Sequence, residues 1–80
     1  MSDTTAARVK DVMALTFNVP AAQIGDDAAI METPGWDSLG HANLMLGLEE
    51  EFGVKLSPEA QLDLQSLPEI VAYLGAREAA

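Results

Sequence analysis

Near the middle of the chain, Asp37, Ser38 and His41 stand close together inside Gly35-Trp36-Asp37-Ser38-Leu39-Gly40-His41. A serine acts as a nucleophile only with a base in hydrogen-bond reach and a group that orients the base. His41 is the single histidine, three residues beyond Ser38, and on a helix those two positions lie roughly on one face. Asp37, however, is better employed as a helix N-cap. Its carboxylate can accept from the free N–H groups of the first turn, and its charge suits the positive end of the helix dipole. An exposed helix end offers no closed cleft and no oxyanion hole, so the trio argues against a hydrolase and none of its members qualifies as catalytic. By spacing alone Ser38 is an ordinary first-turn residue. No metal centre is expected either: one histidine with scattered carboxylates makes no site. Asp26 and Asp27 lack the alternating oxygen ligands and closing glutamate of a calcium loop. His41 is expected to face solvent.

The element that must position Ser38 is the helix beginning there. Leu44, Met45, Leu48 and Phe52 recur at steps of three and four and define its buried face. Leu39, Ala42 and Leu46 have the same spacing but point another way, which gives the helix a second apolar stripe. A small domain cannot bury both, so the second stripe reads as a docking surface. Glu49, Glu50 and Glu51 close the helix before Gly53, a natural left-handed terminator.

Eighty residues are read as a single domain, 1–80, and 49% apolar residues provide for a core. Ala, Leu and Val dominate, and neither strand-like alternation nor β-branched runs occur, so the class is all-α. The absence of cysteine removes disulfides and thiolate metal sites. Met1 to Thr5 lack the basic and apolar segments of a signal peptide, and no run of about 18 apolar residues could span a membrane. A cytoplasmic protein is expected, without membrane insertion. Thirteen acidic residues against four basic give a net charge of −9. Such a chain is repelled by phosphate backbones, which excludes nucleic acid as a partner, and is drawn toward basic patches on enzymes.

The remaining elements follow from local signals. Thr4 to Phe17 forms the first helix, with Val9, Val12, Met13 and Phe17 inward and Arg8, Lys10 and Asp11 on the wet side. Asn18 and Pro20 end it, after which Val19 and Ile24 turn back to the core. The connection from Gly25 to Trp36 is long for a compact domain, and such loops are often functional. Ile30 and Met31 are expected to anchor it, and Trp36 to sit half-buried as a lid against the helix start. Ser57 caps a short helix starting at Pro58. Ser66 and Glu69 form a capping box for the last helix, whose stripe is Leu67, Ile70, Val71 and Leu74 and which is expected to fray from Ala76 to Ala80.

Asp37-Ser38-Leu39 opening such a helix, with Leu48-Glu49-Glu50-Glu51-Phe52 at its end, resembles the free-standing acyl carrier proteins. The resemblance runs from Arg8-Val9-Lys10 to Ile70-Val71-Ala72-Tyr73-Leu74. It implies a four-helix bundle of the acyl-carrier type, three longer helices and one short, with the long loop between the first and second. It implies no enzymatic activity, but 4′-phosphopantetheine esterified to Ser38, the arm's thiol carrying acyl groups as thioesters. A phosphodiester at a helix N-terminus would meet free N–H donors and the positive dipole end. The implied partners are a phosphopantetheinyl transferase and acyl-transferring, condensing or synthase enzymes, gripping the second helix through Asp37, Leu39, Ala42 and Leu46 with charge from Glu49 and Glu50. Glu51 reads as a solvated residue. Gly40 and Asn43 stand where carriers of primary fatty-acid synthesis often have acids, and Trp36, Gly40 and His41 look more like specialised lipid or secondary-metabolite, polyketide-like carriers. An aminoacyl or peptidyl carrier, and a docking module without prosthetic group, are the alternatives. A monomer is expected, since the exposed stripe suits transient contacts. Gly47 and the flexible Met13 and Met45 suggest that an attached chain can slide between the helices.

Overall fold

The structure, a computed structural model, describes residues 3–79, with side chains described from residue 5 to residue 76. Helix α1 spans Asp3–Phe17, α2 Ser38–Phe52, α3 Pro58–Asp63 and α4 Leu67–Ala79, with a 3-10 turn at Ala21–Gln23. Three longer helices and one short one, with the longest connection between α1 and α2, reproduce the expected all-α architecture. Helix α1 packs against both α2 and α4. The stripes meet in one cluster: Val9 and Met13 from α1, Leu44, Met45 and Leu48 from α2, and Leu67, Ile70 and Leu74 from α4 are almost completely buried. Phe52 and Val71, expected inside, are only partly buried at its edge. Helix α4 continues to Ala79, past the point where fraying is expected; Ala80 lies outside the described residues.

Helices α1 and α2 end alike. Asn18 and Gly53 take the left-handed conformation, with φ of 58° and 64°. The N–H of the following residue then returns to the carbonyl five residues back, Val19 to Ala14 and Val54 to Glu49, each at 3.2 Å. Ser57 Oγ caps α3 by accepting from the Ala60 N–H at 3.1 Å. At α4 the box is a variant. Ser66 Oγ accepts from the Glu69 N–H at 3.4 Å, but the Glu69 carboxylate reaches back to the Gln65 N–H at 3.3 Å and to the Ser66 hydroxyl at 3.0 Å.

The 25–36 connection is more ordered than its composition suggests. Ile30 N–H donates to the Gln65 carbonyl at 2.9 Å and Leu67 N–H to the Ala28 carbonyl at 2.7 Å, an isolated antiparallel bridge joining the loop to the segment before α4. Ile30 is partly buried, as expected of an anchor. Met31 is not an anchor: it is 73% exposed with φ of 70°. Its N–H closes a turn onto the Trp36 carbonyl at 2.6 Å, and that turn accompanies an outward side chain. Trp36 also departs from expectation. It is 1% exposed, a core residue rather than a half-buried lid, with its ring stacked on Phe17 at 5.8 Å.

Candidate functional site

Ser38 is exposed and is the first residue of α2. Asp37 caps the helix in extended conformation, its Oδ1 accepting from the Gly40 N–H at 2.8 Å. The first intrahelical bond, His41 N–H to the Asp37 carbonyl, is 2.7 Å long. Helix geometry leaves the N–H groups of Ser38 and Leu39 without intrahelical acceptors, aimed along the axis beside the serine hydroxyl. The dipole places partial positive charge there. An exposed serine beside two amide donors fits a phosphate ester, since the residue is open to solvent and the amides can receive the phosphoryl oxygens.

Gly40 is fixed by the loop in front of it. A Cβ on this residue would collide with the Gly35 carbonyl oxygen, so the turn that delivers Trp36 to the core leaves room only for hydrogen at position 40. The intrinsic crowding accounts for a glycine inside a helix.

His41 does not face solvent. It is partly buried, its ring nearly parallel to that of Trp36 at 6.2 Å between centroids. Trp36 Nε1–H donates to His41 Nδ1 at 3.0 Å, and His41 Nε2 lies 2.6 Å from the Gln61 carbonyl oxygen in α3. A buried indole N–H needs an acceptor, and nothing in the local sequence says that the acceptor is five residues on, so the contact is not legible there.

The second stripe of α2 lies outside: Leu39 is 73% and Leu46 60% exposed, and Ala42 is exposed as well. Glu50 is exposed, whereas Glu49 is partly buried and its Oε2 accepts from the Leu56 N–H at 2.7 Å, tying down the turn after α2. Glu51 is not merely solvated. Arg8 Nε lies 3.3 Å from its Oε2 and Arg8 donates to its carbonyl at 2.9 Å, while the guanidinium sits 4.2 Å from the Phe52 ring centre. An open groove of about 270 Å³ between α1 and α2 is lined by Val12, Leu15, Thr16, Gly47, Glu50 and Glu51. Gly47 approaches α1 closely there, since a Cβ would stand 2.9 Å from Val12 Cγ1.

These features define a class: a small helical protein that offers an exposed serine hydroxyl at a capped helix N-terminus. The family described as "Phosphopantetheine attachment site" matches residues 7–74. A curated acyl carrier protein from Solidesulfovibrio magneticus (strain ATCC 700980 / DSM 13731 / RS-1) is 32% identical over 69 residues, which cover 86% of this chain and 88% of that protein. The chain belongs to the acyl carrier protein family. It is therefore a carrier rather than an enzyme, its prosthetic group is 4′-phosphopantetheine, and its partners are the phosphopantetheinyl transferase and acyl-handling enzymes. Among the described residues no helix is long and apolar enough to cross a membrane.

Proposed function

We propose that Ser38 is the attachment residue and that α2 is the face partner enzymes grip. The observation that carries this reading is the exposed Ser38 at the capped N-terminus of α2. When bound, the arm supplies the thiol that holds the acyl group as a thioester. Asp37 holds the first turn open for modification by engaging the Gly40 N–H, and the amides of Ser38 and Leu39 receive the phosphate. Leu39, Ala42 and Leu46 form the apolar part of the grip, with Glu50 as its exposed charge and Glu49 contributing from a partly buried position. The protein acts as a cytoplasmic monomer, because a narrow exposed stripe suits brief contacts with many enzymes.

The pathway we infer is a specialised lipid or polyketide-like one rather than primary fatty-acid synthesis. Asn43 carries no charge, and the Gly35 carbonyl excludes any acidic side chain at position 40. The negative patch next to the serine is thereby thinned on the surface that a partner would read. Cargo is shielded by repacking around Met13 and Met45, flexible side chains in the centre of the core.

Two measurements test this. Proteolytic mapping of the loaded protein should locate the arm on the Ser38 peptide. Leu46→Asp should raise an acyl-transferring enzyme's KM for the loaded carrier, with helicity unchanged. An arm found on another residue overturns the attachment claim, and an unaltered KM overturns the grip.

A further inference from the structure

Trp36, His41 and Gln61 form a relay whose proton positions are dictated by its ends. The indole Nε1–H can only donate, so His41 Nδ1 must present its lone pair; the Gln61 carbonyl can only accept, so the proton is on Nε2. Both ring nitrogens are thus committed. Gln61 belongs to the last turn of the six-residue α3, where helix geometry leaves carbonyls without intrahelical donors. The ring beside Ser38 therefore joins three segments: the loop through Trp36, α2 through its own backbone, and α3 through the Gln61 carbonyl. Each segment carries a large, exposed apolar residue next to its point of attachment. Met31 N–H is bonded to the Trp36 carbonyl, Leu39 follows Ser38, and Leu62 follows Gln61, and these side chains are 73%, 73% and 70% exposed.

We infer that His41, held in the Nε2–H tautomer, is a positioning residue that sets α3 and its Leu62 against the attachment end of α2, so that the enzyme loading the arm meets them as a single apolar surface. It neither touches the reacting phosphate nor moves a proton. Its contribution is to the affinity of the encounter, which appears in KM, while the chemistry at the serine hydroxyl is unaltered. The inference rests on Ser38 being the loading site.

The test uses the full chain with coenzyme A, magnesium and a broad-specificity phosphopantetheinyl transferase, at a temperature where circular dichroism shows every variant folded. His41→Ala is expected to raise KM for the carrier by about tenfold, as displaced recognition groups do, with kcat little changed. Leu62→Ser should raise KM too, and adding His41→Ala to it should cost far less than the product of the two, because the positioned residue is already gone. His41→Asn keeps an acceptor near the Nδ1 position for Trp36 but is too short to reach Gln61, so it should behave as His41→Ala does, and it replaces that variant if the alanine form does not fold. Unchanged KM in a folded His41 variant, no effect of Leu62→Ser, or fully multiplicative effects would overturn the positioning role. Wild-type protein that accepts no arm would instead overturn the loading site.

Discussion

Gly40 is confined to a hydrogen side chain by the carbonyl oxygen of Gly35, and this sets two residue-scale effects against each other. Alanine would gain about 1 kcal/mol of helix propensity. It would also force its methyl against the Gly35 backbone carbonyl, and overpacking of this kind costs about 1–3 kcal/mol. Since a carbonyl in a tight turn yields less than a flexible side chain, Gly40→Ala should lower the urea midpoint rather than raise it. Asp37 gives the complementary case. Its carboxylate bonds the Gly40 N–H in an exposed position, so Asp37→Ala should cost about 1 kcal/mol, the usual worth of an N-cap, measured by thermal unfolding. Trp36 lies at the other extreme of burial. With 1% of its surface exposed and its indole N–H engaged by His41, Trp36→Ala should cost about 3–5 kcal/mol, enough to leave a domain of this size largely unfolded by circular dichroism.

At the scale of elements, the C-terminal turn of α2 holds three glutamates where the helix dipole disfavours negative charge. Two of them are compensated across the chain: Glu49 by the Leu56 N–H and Glu51 by Arg8. The Arg8–Glu51 pair is itself more than one third exposed, so its charge attraction is largely screened. The guanidinium over Phe52 carries most of the effect, about 1 kcal/mol. Arg8→Ala should therefore destabilise α1 against α2 more than Glu51→Ala does, and the difference should persist in high salt. Helices and their ends were legible in the sequence because they are local: Asn18, Gly53, Ser57 and Pro58 act within a turn of themselves. So was the exposed serine behind Asp37. What was not legible depends on partners far along the chain or on a particular turn. The Ala29–Ser66 bridge, the Arg8–Glu51 contact and the His41–Gln61 bond join segments that no periodicity relates, while the burial of Trp36 and the outward turn of Met31 follow from one loop conformation.

For the whole molecule, a net charge of −9 is a source of self-repulsion. The Lys10 ammonium hydrogen-bonds Asp26 at 2.6 Å and, with its charge, holds that carboxyl below its usual value. A lowered folded-state pKa adds stability above the unfolded-state value and loses it as pH falls through the folded one. This carboxylate is fully exposed, however, and salt screens it, so Asp26→Asn should move the midpoint little even at neutral pH. General screening should matter more: raising salt from a low level to about 0.15 M, where the Debye length is near 8 Å, should raise the melting temperature of the wild type. In the proposed reading the same negative field steers the carrier toward basic enzyme surfaces, where the fold presents the Ser38 hydroxyl. The most direct measurement is the intact mass of verified apo protein before and after incubation with coenzyme A, magnesium and a broad-specificity phosphopantetheinyl transferase, with Ser38→Ala alongside. A gain of one phosphopantetheine is expected in the wild type and none in the variant. A gain that persists in Ser38→Ala, or wild-type protein that stays unmodified with more than one transferase, would contradict it.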